Sequence, residues 1–235
     1  VSFRAKNDRT SAQDIYSYFR FITAGKIEAW HNVMSLYRTN DFATYNTAMS
    51  YAFIRLFSGC TSLTKAPALP ATTLDQNCYP NMFSGCTSLT KAPALSATTL
   101  AYGCYNNMFS GCTSLTEAPA LSATTLTGSC YNSMFDGCTS LSEAPELPAT
   151  TLAQSCYSNM FKGCTSLVNA PALPATTLAG SCYSNMFNGC SSLNEVRCQI
   201  PSSYSSSDIS SYTENWLSGV SSTGTFYTNA DANWP

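Results

Sequence analysis

Histidine, charge, long apolar runs and nucleotide-binding loops are all scarce or missing in this 235-residue sequence, and each shortage removes a class of chemistry. The lone His31 has no second copy and no Gly-x-Ser-x-Gly elbow to partner it, so no Ser–His–Asp arrangement can be assembled. In EAWHNV it is expected to pack against Trp30 rather than act as a base. No CxxC pair and no Cys–His pairing suit zinc, so neither a metal nor a cofactor is expected, and no Gly-rich loop is present to cradle a phosphate. Only 10% of residues are charged and the formal net charge is −2, which argues against nucleic acid as a partner. No apolar run approaches the ~20 residues of a membrane span. No Asn-x-Ser/Thr acceptor occurs despite many Asn, Ser and Thr, which favours a prokaryotic or viral origin over a glycosylated eukaryotic surface protein. Val rather than Met at position 1 is expected of a processed or trimmed product, compatible with a removed signal or lipoprotein leader.

What the sequence does have is repetition. Cys60, Cys86, Cys112, Cys138, Cys164 and Cys190 recur every 26 residues, each in Gly-Cys-Thr/Ser-Ser-Leu. Cys78, Cys104, Cys130, Cys156 and Cys182 stand eight residues before the later members of that series. A full unit reads CTSLTEAPALSATTLTGSCYNSMFDG. Hydrophobic content of 44% with 14 Tyr and 12 Phe supplies enough apolar surface to bury, provided that coils stack, because one such unit cannot bury its own face. Columns unchanged from copy to copy predict the stacked core: Leu115, Leu141 and Leu167; Leu95, Leu121 and Leu147; Phe83, Phe109 and Phe135.

Within a unit, the two-residue period of a strand points Ala118 and Ala120 inward and Glu117 and Pro119 outward, with the strand kept short because Pro119 has no ladder N–H. Cys130, Met134 and Phe135 fall at helical separations and end at Gly137, a C-cap residue type, which predicts a short helical turn. Strands stack about 4.8 Å apart and helices roughly 8–10 Å, so such an array must curve. The expected fold is an α/β repeat solenoid: a curved leucine-rich-repeat array with short parallel strands on the concave side, short helical turns on the convex side, and a cap at both ends. Residues 1–50, with Tyr16, Tyr18, Phe19, Phe21 and Ile22 but no period, are assigned as an N-terminal cap merging into a half-repeat at YAFIRLFSGC, where Ala52 replaces a Cys. Residues 51–198 are the repeats. Residues 199–235 form a C-terminal cap, entered through NEVRCQI with Val196 and Cys198 in the two Ala columns.

The cysteines are read as buried free thiols acting as small hydrophobes. Coils 8–10 Å apart on a helical side would exceed the roughly 4.4–6.8 Å Cα window of a disulfide. Paired carboxylates at Glu117 and Glu143 invite a catalytic reading, but the same column holds Lys65, Lys91 and Asn169, so a position tolerant of any polar group explains it better. That column, Lys65, Lys91, Glu117, Glu143, Asn169 and Glu195, is the candidate binding strip, flanked by Pro67, Pro93, Pro119, Pro145 and Pro171. It varies where the coils are otherwise nearly identical, as a specific partner or tolerated drift would each require. Charge is uneven along the chain, with eight basic and four acidic residues through Lys65 and three basic and nine acidic beyond it.

The string Phe-x-Gly-Cys-Thr-Ser-Leu, with a strand after each Leu, resembles the BspA-like leucine-rich repeats of bacterial surface proteins over about residues 51–198. It departs from them in its longer unit, in Ala-Pro-Ala-Leu where those repeats have Ile-x-Ile-Pro, and in Cys104 and its equivalents where they have Ile. The variant is similar to proteins of gut bacteria and their phages. The resemblance implies a non-catalytic adhesion module, extracellular or at a bacterial cell surface, that binds a protein or glycan of a host or neighbouring surface. The alternative is a phage virion component, a fibre or decoration subunit, with a homo-oligomer possible in either case.

Overall fold

In the computed structural model, residues 27–28, 33–36 and 46–228 are described. Most of the expected N-terminal cap, with His31 and its neighbours, lies outside them, as do residues 229–235 of the C-terminal one. Successive 26-residue units stack as parallel coils. One hydrophobic core, made of the same columns in each unit, runs the length of the stack. Leu115, Leu141, Leu167, Phe83, Phe109 and Phe135 are fully buried, and Leu121 and Leu147 nearly so.

The strand side is sparse. Its elements are β1 (Ile27–Glu28), β2 (Thr47–Ala48), β3 (Leu63–Lys65) and β4 (Thr73–Leu74), followed far downstream by β5 (Glu195–Cys198) and β6 (Thr225–Thr228). They pair in parallel as β1 with β3, β2 with β4, and β5 with β6. Between β4 and β5 the coils meet through isolated parallel bridges, such as Lys91 with Glu117 and Glu143 with Asn169. A second line of bridges joins Thr73, Thr99, Thr125, Thr151 and Thr177 without a break.

Proline explains the sparseness and overturns the expected alternation. Pro67, Pro119 and Pro171 are buried and Pro93 and Pro145 half-buried, whereas Ala68, Ala94, Ala120 and Ala172 are exposed. Lacking an N–H, the proline cannot extend the ladder, so the chain leaves it there, turning the ring into the core and the next residue out. The first Ala column, including Ala118, remains partly buried as expected. Where the proline is missing, in EVRC, four consecutive residues form β5 with strict alternation, Val196 and Cys198 inward. Cys198 there pairs with Leu173, 25 residues back, so it occupies the Leu column rather than the second Ala column.

The opposite side is not helical. Among the described residues the single α-helix is α1 (Ser206–Tyr212), begun by a capping box between Ser205 and Asp208. The expected helical turn around Cys130–Gly137 is instead a run of tight turns with a left-handed residue at every fourth position: Ser129, Ser133 and Gly137, and likewise Gly103, Asn107 and Gly111. Alternate amides then serve two purposes. Cys104, Asn106, Met108, Ser110 and Cys112 donate three residues back within their own coil at 3.0–3.2 Å, while Gly103, Tyr105, Asn107, Phe109 and Gly111 donate to the next coil at 2.7–3.0 Å. A helix would consume all its amides internally and leave none to join coils. Because this side is stitched by direct backbone hydrogen bonds, its coils are as close as strands, and the helix-spacing argument for curvature falls away.

Close coils also bring aromatic rings into register. Tyr79, Tyr105, Tyr131, Tyr157 and Tyr183 form one column with centroids 5.9–6.2 Å apart. Phe57, Phe83, Phe109, Phe135, Phe161 and Phe187 form another, 5.5–5.8 Å apart. All twelve cysteines are buried and unbridged, but not because coils stand far apart. Each thiol of Cys86, Cys112, Cys138, Cys164 and Cys190 donates to the Phe carbonyl of the preceding coil at 2.9–3.1 Å, so the thiols all point the same way along the stack.

Stacking continues past residue 198. Asn215 and Gly219 take the left-handed conformation, and the amides of Asn185, Phe187 and Gly189 donate to Glu214, Trp216 and Ser218 at 2.7–2.9 Å. Trp216 lies 6.1 Å from the Tyr183 ring and 6.4 Å from the Phe187 ring, ending both columns at once. The string ENWLSGVSS is thus a degenerate copy of SNMFNGCSS, a signal present in the sequence but masked by its substitutions.

Candidate recognition surface

The six strip residues lie in register on successive coils. Lys65 ends β3, Glu195 begins β5, and bridges connect Lys91 with Glu117, Glu143 with Asn169, and Asn169 with Glu195. Local sequence sets this: a buried Leu two residues earlier anchors each coil, and in the first five coils the proline two residues later interrupts the pairing, leaving one or two residues to present outward. All are exposed except Glu195, which is half-buried. β1 and β6 extend the column by one register position at each end, with Glu28 beside Lys65 and Thr225 beside Glu195.

Charge along the strip is ordered in blocks. Lys91 Nζ meets Glu117 Oε2 at 2.5 Å, with side chains 72% and 61% exposed. Glu143 has no cationic partner among the described residues and sits one coil from Glu117, a like-charge neighbour that parallel stacking makes unfavourable. At the far end Arg197, which the sequence reading did not include, binds Glu195 at 2.6 Å and lies 4.1 Å from the Tyr227 ring centroid. The Glu-Val-Arg alternation was the available signal, because residues two apart on a strand share a face. Also missed were the paired exposed threonines, Thr98 and Thr99, Thr124 and Thr125, on every coil.

No group of three or more His, Cys, Asp or Glu positioned for a metal occurs among the described residues, and no described helix is long and apolar enough to cross a membrane. Burial pushes the thiol of every cysteine from Cys78 to Cys198 above its ordinary range, for Cys130 and Cys182 to about 11, which makes them unreactive near neutrality.

No protein-family model matches the chain, and no curated protein does. Two solved structures are similar to it. One is a leucine-rich-repeat protein of T. pallidum, 16% identical, with 77% of each chain covered and a TM-score of 0.37. The other is a leucine-rich cell surface protein from Faecalibacterium prausnitzii, 18% identical over 83% of this chain, with a TM-score of 0.30; the match spans 60% of that protein. At these scores the assignment of this chain as a repeat solenoid rests on its own coil geometry, 26-residue units joined in register by backbone hydrogen bonds.

Proposed function

We propose that this chain is a non-catalytic surface recognition module whose partner, a protein or a glycan, docks on the strip Lys65, Lys91, Glu117, Glu143, Asn169 and Glu195. One observation carries the reading: a column whose charge changes from coil to coil is exposed and held in register by parallel bridges, while the buried columns beneath it are nearly invariant. Exposed charges of this kind contribute about 0–1 kcal/mol to stability but steer and select partners. The setting proposed is a bacterial surface or the extracellular space.

Exchanging the two residues in Lys91→Glu/Glu117→Lys keeps the local ion pair but reverses its direction. The melting temperature is expected to stay within a degree or two, while capture of a foreign protein or glycan in a pull-down or array screen is lost. Unchanged binding to a partner that the native chain captures would remove the strip from consideration. A virion subunit, the alternative, predicts co-purification with phage particles rather than capture of a soluble ligand.

A further inference from the structure

We infer that the strip is self-complementary, and that its partner is a second copy of this chain packed face to face with the two stacks running antiparallel. This rests on the recognition reading above and names its occupant.

The inference follows from the order of charges. Along consecutive coils the strip reads Lys65, Lys91, Glu117, Glu143: two cations followed by two anions. Consider a two-fold axis lying in the interface, parallel to the strands and midway between the coils of Lys91 and Glu117. It sets Lys91 of one copy opposite Glu117 of the other and Lys65 opposite Glu143, four ionic contacts in all. Because both copies have the same coil spacing, the register matches along the whole strip without adjustment. An axis along the stack would instead set each lysine against itself and each glutamate against itself. The charge order therefore selects one of the two isologous arrangements.

Two features of the single chain fit this partner. Within one copy, Lys65 and Lys91 are like-charged neighbours, as are Glu117 and Glu143, and Glu143 has no cation of its own among the described residues. Apposition supplies the missing counter-charge, Lys65 of the second copy, and surrounds the existing Lys91–Glu117 pair with its mirror. The same axis sets Ala94 of one copy facing Ala120 of the other, small side chains beside the two central contacts, while the exposed Glu146 of the outer coil faces Ala68. Small residues permit the close approach that short ionic contacts need.

Charge-block variants of the full chain, followed by sedimentation across a concentration series, test this. The native chain should pass from monomer to dimer, and added salt should shift it back toward monomer by screening the exposed contacts. Lys65→Glu/Lys91→Glu, with four anions in a row, and Glu117→Lys/Glu143→Lys, with four cations, should each lose dimerisation, and an equimolar mixture of the two should regain it as a heterodimer. Lys91→Glu/Glu117→Lys should still dimerise, because residues 91 and 117 stay opposite in sign across the axis. Circular dichroism and melting curves confirm that each variant folds. A native chain that is monomeric at every concentration overturns the proposal, as does a dimer that survives in either charge-block variant, or a mixture that does not recover. A monomeric native chain whose foreign-partner binding is still lost on the 91/117 exchange would overturn the self-pairing alone and leave the recognition face standing.

Discussion

The two sides of each coil solve the same problem differently. On the turn side alternate amides reach the next coil in every unit, between Phe53 and Gly189, so the ladder runs the length of the stack. On the strand side, where a sheet is the obvious expectation, proline in nearly every coil reduces pairing to single bridges. Cohesion therefore resides with turns, rings and thiols, and the strand side is free to carry exposed residues that differ from coil to coil. A rigid spine and a permissive face are separated by the thickness of one coil.

Alkali should break this contrast most severely, because it ionises the thiols packed inside the spine. Burial raises the folded-state thiols above their ordinary value of 9.0, to about 12 for Cys78, Cys112, Cys190 and Cys198. Their stabilisation is complete below pH 9 and is lost as pH rises toward 11–12, since the unfolded chain releases its protons first. Each thiol then costs about 1.4 kcal/mol per pH unit. Urea midpoints measured from pH 8 to 11 should fall steeply, and alkylation at pH 8 should be slow until denaturant is added. A flat profile would mean the thiols are open to solvent.

Removing one ring comes next. Phe109→Ala deletes a fully buried side chain stacked 5.5 Å from Phe83 and 5.8 Å from Phe135, and should cost about 3–5 kcal/mol by chemical denaturation. Asn107→Val leaves the core intact but forces a β-branched residue into a left-handed conformation, φ 54°, and should cost roughly 1–2 kcal/mol. Asn107→Gly at the same site should be nearly neutral, which isolates backbone conformation as the cause. On the permissive side, Glu117→Ala should change stability by less than about 0.5 kcal/mol. Comparable losses at Glu117 and Phe109 would erase the distinction between spine and face.

The core columns were legible in the sequence because identity at a fixed period reports burial directly: Phe109, Leu115 and Cys112 sit where repetition places them. The strip was legible for the opposite reason, as an outward column that changes from coil to coil. Turns were mistaken for helix because Cys130, Met134 and Phe135 satisfy a helical spacing and a chain of four-residue turns almost equally. The distinguishing signal was Asn, Ser or Gly at every fourth position, Gly103, Asn107 and Gly111, residue types that tolerate or favour positive φ. Proline orientation was not legible, since alternation presumes a strand that continues and proline ends it. Arg197 escaped notice because its coil has lost a residue relative to the others, which shifts Cys198 into the column of Leu173.

The alternating amide pattern is the same at every junction, so a coil does not depend on which neighbour it meets. Any 26-residue unit can be excised or duplicated in frame, and the ladder closes over the change as it closed before. Length in this protein is thus counted in whole coils, and the strip behaves as a word spelled one letter per coil. Deleting the unit that carries Glu117 would leave a chain that still stacks, yet reads Lys, Lys, Glu, Asn in place of Lys, Lys, Glu, Glu. Near-identical repeats are prone to such slippage in replication, which lets the message be rewritten without disturbing the page it is written on.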